Sequence, residues 1–301
     1  MDISFRSGYV ALAGRPNVGK STLLNALVRE PLAIVTNRPQ TTRDRILGIR
    51  TENDTQMIFL DTPGMHRPKT RLGDYMVLTA REAYRDADVL LFLVEPGRPG
   101  PGDRFLLEVL EEVDRPIILV INKADLADDE TLLGTIDRYK DIFRFREIIP
   151  VSALKERNLD RLLSLISALL PEGPRYYPED AVTDRAERFL AGEIIREQVM
   201  ERTRDEVPFS IAVEITEFEE RADGSARIQA VVFVERDTQK GIIIGNRGAR
   251  IKSVGIAARK KIAELRQAPV DLGLRVKVRK DWRNQVRSLR GFGYAREPSR
   301  R

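Results

Sequence analysis

The sequence predicts an α/β domain with a mostly parallel sheet, followed by a smaller α+β domain. Three observations lead there. Residues 9–170 alternate short apolar strand signals with helical periodicity, the pattern of a sheet covered on both faces. Three prolines and one glycine then fall within residues 171–178, where neither a helix nor a central strand can continue. Beyond that break the order changes to helix, strand, strand, a glycine-marked helical stretch, and strand. A chain of 301 residues also suits two cores, at about 150 residues per domain. The expected boundaries are 1–172 for the first domain, 173–182 for a linker and 183–301 for the second domain.

The elements follow in order. Residues 9–14 are mostly apolar and read as a buried strand, and 20–29 read as a helix. Residues 45–50 and 56–61 form a strand pair around Glu52, Asn53 and Asp54. Residues 89–94, 116–121 and 147–151 are further short apolar strands. Helical patterns lie between them at 72–86, 103–113, 129–143 and 158–169. In the second half, 183–203 carries Phe189, Ile194, Ile195 and Val199 at helical spacing. Residues 208–218 alternate, 227–234 read as a strand, and Ala222-Asp223-Gly224-Ser225 is a turn between the two. Residues 249–267 form a basic helix. In 272–278, Leu274, Val276 and Val278 share one face of a final strand.

Composition narrows the chemistry. The chain has no cysteine and a single histidine, His66. Disulfides, thiolate metal sites and cysteine nucleophiles are excluded, and a histidine cluster has no members. No run approaches the roughly 18 apolar residues of a membrane span, and no apolar block near the start suggests a secretory signal. The expected location is therefore cytoplasmic. Charge is uneven: residues 238–301 carry 18 basic and 4 acidic side chains, against 8 and 14 in residues 181–237. Such a block points to a polyanion, either nucleic acid or an anionic membrane surface. The plainer reading is a solvated basic face.

Gly14-Arg15-Pro16-Asn17-Val18-Gly19-Lys20-Ser21 matches G-x-x-x-x-G-K-[S/T], between a predicted strand and a predicted helix. Glycines let such a loop wrap phosphates with its N–H groups inward, and the helix N-terminus favours an anion. Lys20 is placed to reach the β- and γ-phosphates and Ser21 to ligate Mg²⁺. Asn17, Val18, Gly19 and Thr22 complete the phosphate cradle. Asp61-Thr62-Pro63-Gly64 ends a strand. Asp61 can hold the Mg²⁺ shell, and Gly64 gives the chain close access to a γ-phosphate. Asn122-Lys123-Ala124-Asp125 follows the apolar strand 117–121. A carboxylate accepts from both the ring N–H and the exocyclic amine of guanine, a pattern adenine lacks. Asp125 therefore reads as the base discriminator and GTP or GDP as the ligand. Lys123 is long enough to lay its stem on the base. Ser152-Ala153-Leu154, after the next strand, places backbone N–H groups near the guanine oxygen.

In this order the motifs resemble those of translation-factor-type small GTPases over residues 1–170. Pro39-Gln40-Thr41-Thr42-Arg43 is similar to switch I of the Era/TrmE/EngA group. By that resemblance Thr42, or Thr41 in its place, closes on Mg²⁺ and the γ-phosphate, and Lys20, Thr42 and Gly64 form the catalytic set. The metal set is Ser21, Thr42 and Asp61. One position departs from the wider group. Many small GTPases follow the glycine with a Gln that orients the attacking water, and this chain has Met65. A thioether cannot orient water by hydrogen bonding in that way. Slow intrinsic hydrolysis, accelerated by a partner or an ion, is the expectation. His66 reads as a surface residue of the switch loop.

Gly245-Asn246-Arg247-Gly248 follows Ile242, Ile243 and Ile244 and precedes the basic helix. In an RNA-binding KH domain a G-x-x-G loop clamps the backbone of about four nucleotides. The candidate RNA-binding residues are Gly245, Asn246, Arg247, Gly248, Arg250 and Lys252, with Arg259, Lys260 and Lys261 extending the charge. The three isoleucines read equally as a platform under bases or as core. Trp282 reads as hydrophobic packing at a strand end, with base stacking as the other reading. Two strands before the loop and one after resemble a type II KH domain. Over residues 5–295 the chain resembles the Era family of ribosome-associated GTPases. That resemblance implies a GTP-hydrolysing switch that binds the 3′ end of small-subunit (16S) rRNA and assists maturation of the small ribosomal subunit. It implies Mg²⁺ as cofactor, the 30S subunit as partner, a monomer, and peripheral contact with the cell membrane as a secondary association. The rival is a GTPase switch whose basic domain docks protein or anionic membrane. Membrane docking uses large apolar anchors on an amphipathic helix, and the few in 249–267 (Val254, Ile256, Ile262, Leu265) suit core packing instead.

Overall fold

The structure, a computed structural model, describes residues 5–36, 38–65 and 68–294. Chain contacts divide it into two compact units. The first comprises Met1–Val35, Thr42–Pro68 and Met76–Asp184, and the second Thr36–Thr41, Lys69–Tyr75 and Arg185–Arg301. His66 and the tail from 295 onward lie outside the described residues.

The first unit runs β1 (Arg6–Gly14), α1 (Lys20–Val28), β2 (Ile46–Glu52), β3 (Thr55–Asp61), α2 (Arg71–Asp86), β4 (Val89–Val94), α3 (Pro101–Leu110), β5 (Ile117–Ile121), α4 (Asp129–Lys140), β6 (Glu147–Pro150) and α5 (Leu159–Leu169). Helix α2 begins in the segment grouped with the second unit. The strands order as β2-β3-β1-β4-β5-β6. Strand β2 pairs antiparallel with β3, and the other pairs are parallel. Every residue of β4 and β5 is buried, which is why both read as unbroken apolar runs rather than alternation. Strand β1 sits between β3 and β4, so the strand order reverses there. The crevice beyond the carboxyl ends of strands at such a switch point is where open α/β sheets bind ligands. The glycine loop leaves β1 at that crevice.

Residues 171–184 lie along this unit. Ser7 Oγ donates to the Pro174 carbonyl at 2.6 Å, and Gly173 N to the Phe5 carbonyl at 3.0 Å. Gln56 is fully buried; its Oε1 accepts from the amides of Tyr176 and Tyr177 at 2.8 and 3.0 Å. Its Nε2 donates to the Tyr177 carbonyl at 2.9 Å. Ile49 N donates to the Val182 carbonyl at 2.9 Å, so this stretch also covers the β2 edge. The proline-rich stretch cannot pair with itself, and a buried amide and a strand edge supply partners for its backbone.

The second unit adds α6 (Glu187–Glu201), β7 (Ala212–Glu220), β8 (Ala226–Val234), α7 (Asp237–Ile244), α8 (Ala249–Arg266), β9 (Val270–Val278) and α9 (Val286–Gly291). Its sheet orders β7-β8-β9, with β7 antiparallel and β9 parallel to β8. The core joins Ala191, Ile195 and Val199 of α6, the inner faces of the strands, and Val254, Ala258 and Ile262 of α8. One expectation needs adjustment. Residues 207–210 form a short 3-10 turn around Pro208, and β7 starts only at Ala212. The basic tail is folded at least to Tyr294: Phe292 packs on Phe233 at 5.0 Å, and the Arg279 guanidinium lies over both rings. Trp282 is fully buried, meets Phe292 edge-on at 5.2 Å and donates Nε1–H to the Ser210 carbonyl at 2.8 Å. It is a packing residue, and base stacking is closed to it in this fold.

Candidate nucleotide site and nucleic-acid interface

The loop from Gly14 to Gly19 connects the buried strand β1 to α1. Gly19 has φ +96°, and a Cβ there would stand 2.3 Å from Asn122 Nδ2. Glycine is required on both counts. Lys20, 6% exposed, donates Nζ to the carbonyls of Gly14 and Arg15, each at 3.0 Å. Burial lowers its ammonium pKa from 10.5 to about 8, with the Asp61 charge opposing. An anion beside it would raise that pKa again.

Three oxygens converge next to Lys20. Ser21 Oγ lies 2.6 Å from Asp61 Oδ2 and 3.0 Å from Thr42 Oγ1, and Thr42 Oγ1 lies 3.1 Å from the same carboxylate oxygen. Asp61 is fully buried, its Oδ1 has no hydrogen-bond partner, and burial raises its pKa. A buried carboxylate oxygen without a partner is costly unless a cation meets it. Among the described residues no three His, Cys, Asp or Glu gather to hold a metal. One carboxylate with two hydroxyls fits Mg²⁺, which keeps waters and takes substrate phosphate oxygens rather than an all-protein cage. Thr41 does not join this set. Its hydroxyl is bonded to Thr36 Oγ1 and the Arg38 carbonyl, both at 2.7 Å. The structure thus separates the two adjacent threonines, with Thr42 in the cluster.

Gly64 packs on the loop itself: a Cβ there would stand 2.7 Å from Pro16 N. Met65 is 2% exposed and lies in the core of the first unit. Asn122, also buried, donates Nδ2–H to the Val18 carbonyl at 2.8 Å and accepts from Ala153 N at 3.0 Å. It therefore clasps the glycine loop to the Ser152-Ala153-Leu154 loop. Lys123 Nζ donates to the Asn17 carbonyl at 2.9 Å and pairs with Glu95. Asp125 stays accessible, and a hydrogen bond from Ser152 keeps its carboxyl below the usual range. It is charged at neutral pH and able to accept from two base N–H groups.

In the second unit, Gly245 and Gly248 have φ +72° and +80°. A Cβ on Gly245 would meet Arg250 Cβ at 2.8 Å, whereas the space beside Gly248 is open. Asn246 and Arg247 between them are exposed, and Arg247 itself holds a left-handed backbone, φ +47°. Arg250 donates to the Ile242 carbonyl and so braces the loop. Ile243 is core and Ile242 is 40% exposed, so the three isoleucines divide between the two readings. Beside the loop, Ile251, Lys252, Gly255, Ile256, Arg259 and Leu274 help to line a groove of about 290 Å³. An apolar floor with cationic flanks suits stacked bases and a phosphate chain. Gly255 carries no motif in the sequence; Ile256, expected in the core with Val254, Ile262 and Leu265, is instead 53% exposed and lines this groove together with Leu274 of β9. The helical signal is the spacing of Gly248, just before α8, with Lys252, Gly255 and Arg259, successive steps of four, three and four residues that bring them to one side.

A family model described as "50S ribosome-binding GTPase" matches residues 9–123, and a KH domain model matches residues 206–283. GTPase Era of Geobacter metallireducens is 49% identical over 295 residues, spanning 97% of this chain and 99% of that protein. The chain belongs to the Era family of GTPases. Among solved structures it is similar to Era in complex with MgGDPNP and nucleotides 1506–1542 of 16S ribosomal RNA, with a TM-score of 0.93 and 42% identity. That match covers 97% of this chain and 99% of the other. An Aquifex aeolicus Era variant bound to GDP and aluminium fluoride is also 42% identical, with a TM-score of 0.91, covering 97% and 100%. The GTPase half is a mostly parallel six-stranded sheet and the KH half has a three-stranded one. Among the described residues no helix is long and apolar enough to cross a membrane.

Proposed function

We propose that this Era-family GTPase is a GTP-driven switch that binds the 3′ end of small-subunit rRNA and assists maturation of the 30S subunit. One observation carries the reading. Both halves of the chain, a guanine-nucleotide site and a G-x-x-G groove, align along nearly their full length with an Era that holds MgGDPNP and a 16S fragment. The broad family model names the 50S subunit. The 16S complex is the more specific guide, because it matches both domains rather than residues 9–123 alone.

In this reading the domains are 1–172 and 183–301, joined by 173–182. Gly14 to Thr22 cradle the phosphates, with Lys20 facing the β- and γ-phosphates. Ser21 and Thr42 would ligate Mg²⁺, with Asp61 in its shell. The metal supplies charge neutralisation between the phosphate oxygens when bound. Asp125 reads guanine, Lys123 lies along the base, and Asn122, Ala153 and Leu154 shape its pocket. Gly64 approaches the γ-phosphate. Buried Met65 offers no hydrogen bond to a water, so intrinsic hydrolysis is slow and depends on a partner or an ion. On the RNA side, Gly245, Asn246, Arg247 and Gly248 hold the backbone, Lys252 and Arg259 contact phosphates, and the α8–β9 groove takes bases. The protein acts as a cytoplasmic monomer.

The test is fluorescence anisotropy of the 3′-terminal small-subunit rRNA and a scrambled control, with GDP and with a GTP analogue, at two salt concentrations. Sequence-selective binding favoured by the GTP analogue is expected. Equal, strongly salt-dependent binding of both RNAs would reduce the second domain to a generic basic surface. Binding to anionic vesicles instead of RNA would turn the reading toward membrane docking.

A further inference from the structure

We propose that Arg15 and Asp103 form a positioning pair that holds the phosphate loop in its nucleotide-binding shape, an inference that rests on the guanine-nucleotide reading above. Arg15 is the second residue of the loop, and its carbonyl is one of the two that orient Lys20. Its side chain runs to the start of α3, where Nε donates to Asp103 Oδ1 at 2.7 Å. Asp103 is fully buried, and its other oxygen accepts from Gly100 N at 2.9 Å. The hydroxyl of Tyr139 also bonds this carboxylate, and burial followed by the Asp103 charge pushes the phenol up. A buried carboxylate with three donors is a rigid anchor.

The seat is shaped for the arginine stem. A Cβ on Gly102 would stand 2.7 Å from Arg15 Cδ, so a side chain in this first turn of α3 would push the arginine stem off its seat. The loop is held a second time two residues on, where Lys123 grips the Asn17 carbonyl while paired with Glu95. Glu95 Oε2 also lies 4.0 Å from Arg15 Nη2. Arg15 and Asn17 are thus tied to one connected set of side chains reaching from α3 to the Asn122–Asp125 loop.

This matters for the reaction because Lys20 is buried and points through two loop carbonyls. If residue 15 is unanchored, those carbonyls move, and ordering the loop must be done at the expense of nucleotide affinity. Arg15 need not touch the phosphates to act; it acts through its own carbonyl and Lys20.

The test uses the full chain with a fluorescent GDP. Arg15→Gln, Arg15→Lys, Asp103→Asn and the double variant Arg15→Gln/Asp103→Asn are compared for GDP dissociation rate, kcat and KM, and melting temperature without nucleotide. Loss of a charge-assisted bond predicts about 10-fold faster GDP release in each single variant. The double variant should be no worse than the singles, and Arg15→Lys should recover part of the loss. Additive effects in the double variant would overturn the proposal. So would unchanged GDP release in Arg15→Gln, whose site is partly exposed and tolerates loss of the fold contact better than Asp103. Failure of the wild-type chain to bind GDP would instead overturn the nucleotide reading itself.

Discussion

Lys20, Asp61, Asn122 and Ser152 are each at most 6% exposed, whereas Asn246 and Arg247, at the corresponding loop of the other domain, are exposed. Both loops carry glycine at positive φ, a conformation that lets another group approach the backbone closely. They differ in everything around it. The nucleotide loop is assembled from buried groups already bonded to one another, so the site exists before the ligand arrives. The RNA loop presents solvated charge beside a shallow groove and is braced from one side by Arg250. Preorganised buried sites concentrate binding energy in a few groups, while exposed basic surfaces spread it over many and lose it to salt. The contrast orders the expected effects of mutation.

The largest effect belongs to Lys20→Ala. It removes a buried cation and leaves Asp61 without its counter-charge, so GDP affinity should fall by at least about 100-fold. RNA binding measured in the absence of nucleotide should be unchanged, since Lys20 lies in the other unit. A variant that binds GDP normally would remove the central premise of the site. The same residue gives the contrast a pH signature. Without ligand the Lys20 pKa is about 8, and phosphates raise it. Below pH 8 both states are protonated and affinity is flat. Above it the free protein loses the proton that binding must restore, so affinity falls by up to about 10-fold per pH unit. Calorimetry at pH 9 in buffers of different ionisation heat should show proton uptake.

Asp125→Asn comes next. The carboxylate accepts twice from guanine, and an amide can accept only once while offering an unmatched donor. GDP should bind about 100-fold more weakly. A base with a carbonyl in place of the exocyclic amine, as in xanthosine diphosphate, should bind better than to the native protein. Competition between the two nucleotides measures it. If both affinities fall equally, Asp125 serves the fold rather than the base.

How much of this was legible in sequence follows the same division. The nucleotide loop, Asp61-Thr62-Pro63-Gly64 and Asn122-Lys123-Ala124-Asp125 are contiguous motifs at strand ends, where local chemistry alone dictates residue type. What escaped were side-chain pairings between distant elements. Arg15 meets Asp103 across 88 residues, and buried Gln56 clasps Tyr177 across 121. No local pattern marks either as special. Helix α7 was visible only as an apolar run, because Ile242, Ile243 and Ile244 are β-branched and read as well for strand as for helix. The resemblance favours Thr42 and leaves Thr41 as the alternative; no local pattern decides between adjacent threonines, and in the fold it is the Thr42 hydroxyl that meets Asp61. The 3-10 turn at Pro208 was misread because alternation continues through it.

On the RNA side, Gly248→Asp should have the stronger effect. The space beside Gly248 is open, so the fold can accommodate the side chain at the cost of backbone strain at φ +80°. The new carboxylate would face the RNA phosphates, and affinity for the 3′-terminal rRNA should fall about 10-fold or more. GDP affinity should stay unchanged. Gly248→Ala separates the causes: it shares the strain without the charge, and its loss should be smaller.

Arg247→Gln sets the lower end of the scale. Its guanidinium stands on an exposed loop, in an environment where a single cation contributes little and is readily screened. Affinity at low salt should fall only about threefold, and the slope of log affinity against log salt should flatten by about 1. The control is the nucleotide site under the same titration, where the key charge is buried and screening is weak. If GDP affinity proved as salt-sensitive as RNA affinity, the division between a buried, preorganised site and a solvated, distributed one would not survive. If Arg247→Gln cost as much as Lys20→Ala, the G-x-x-G loop would be a focused anchor, and its exposure in the free protein would be lost when RNA closes over it.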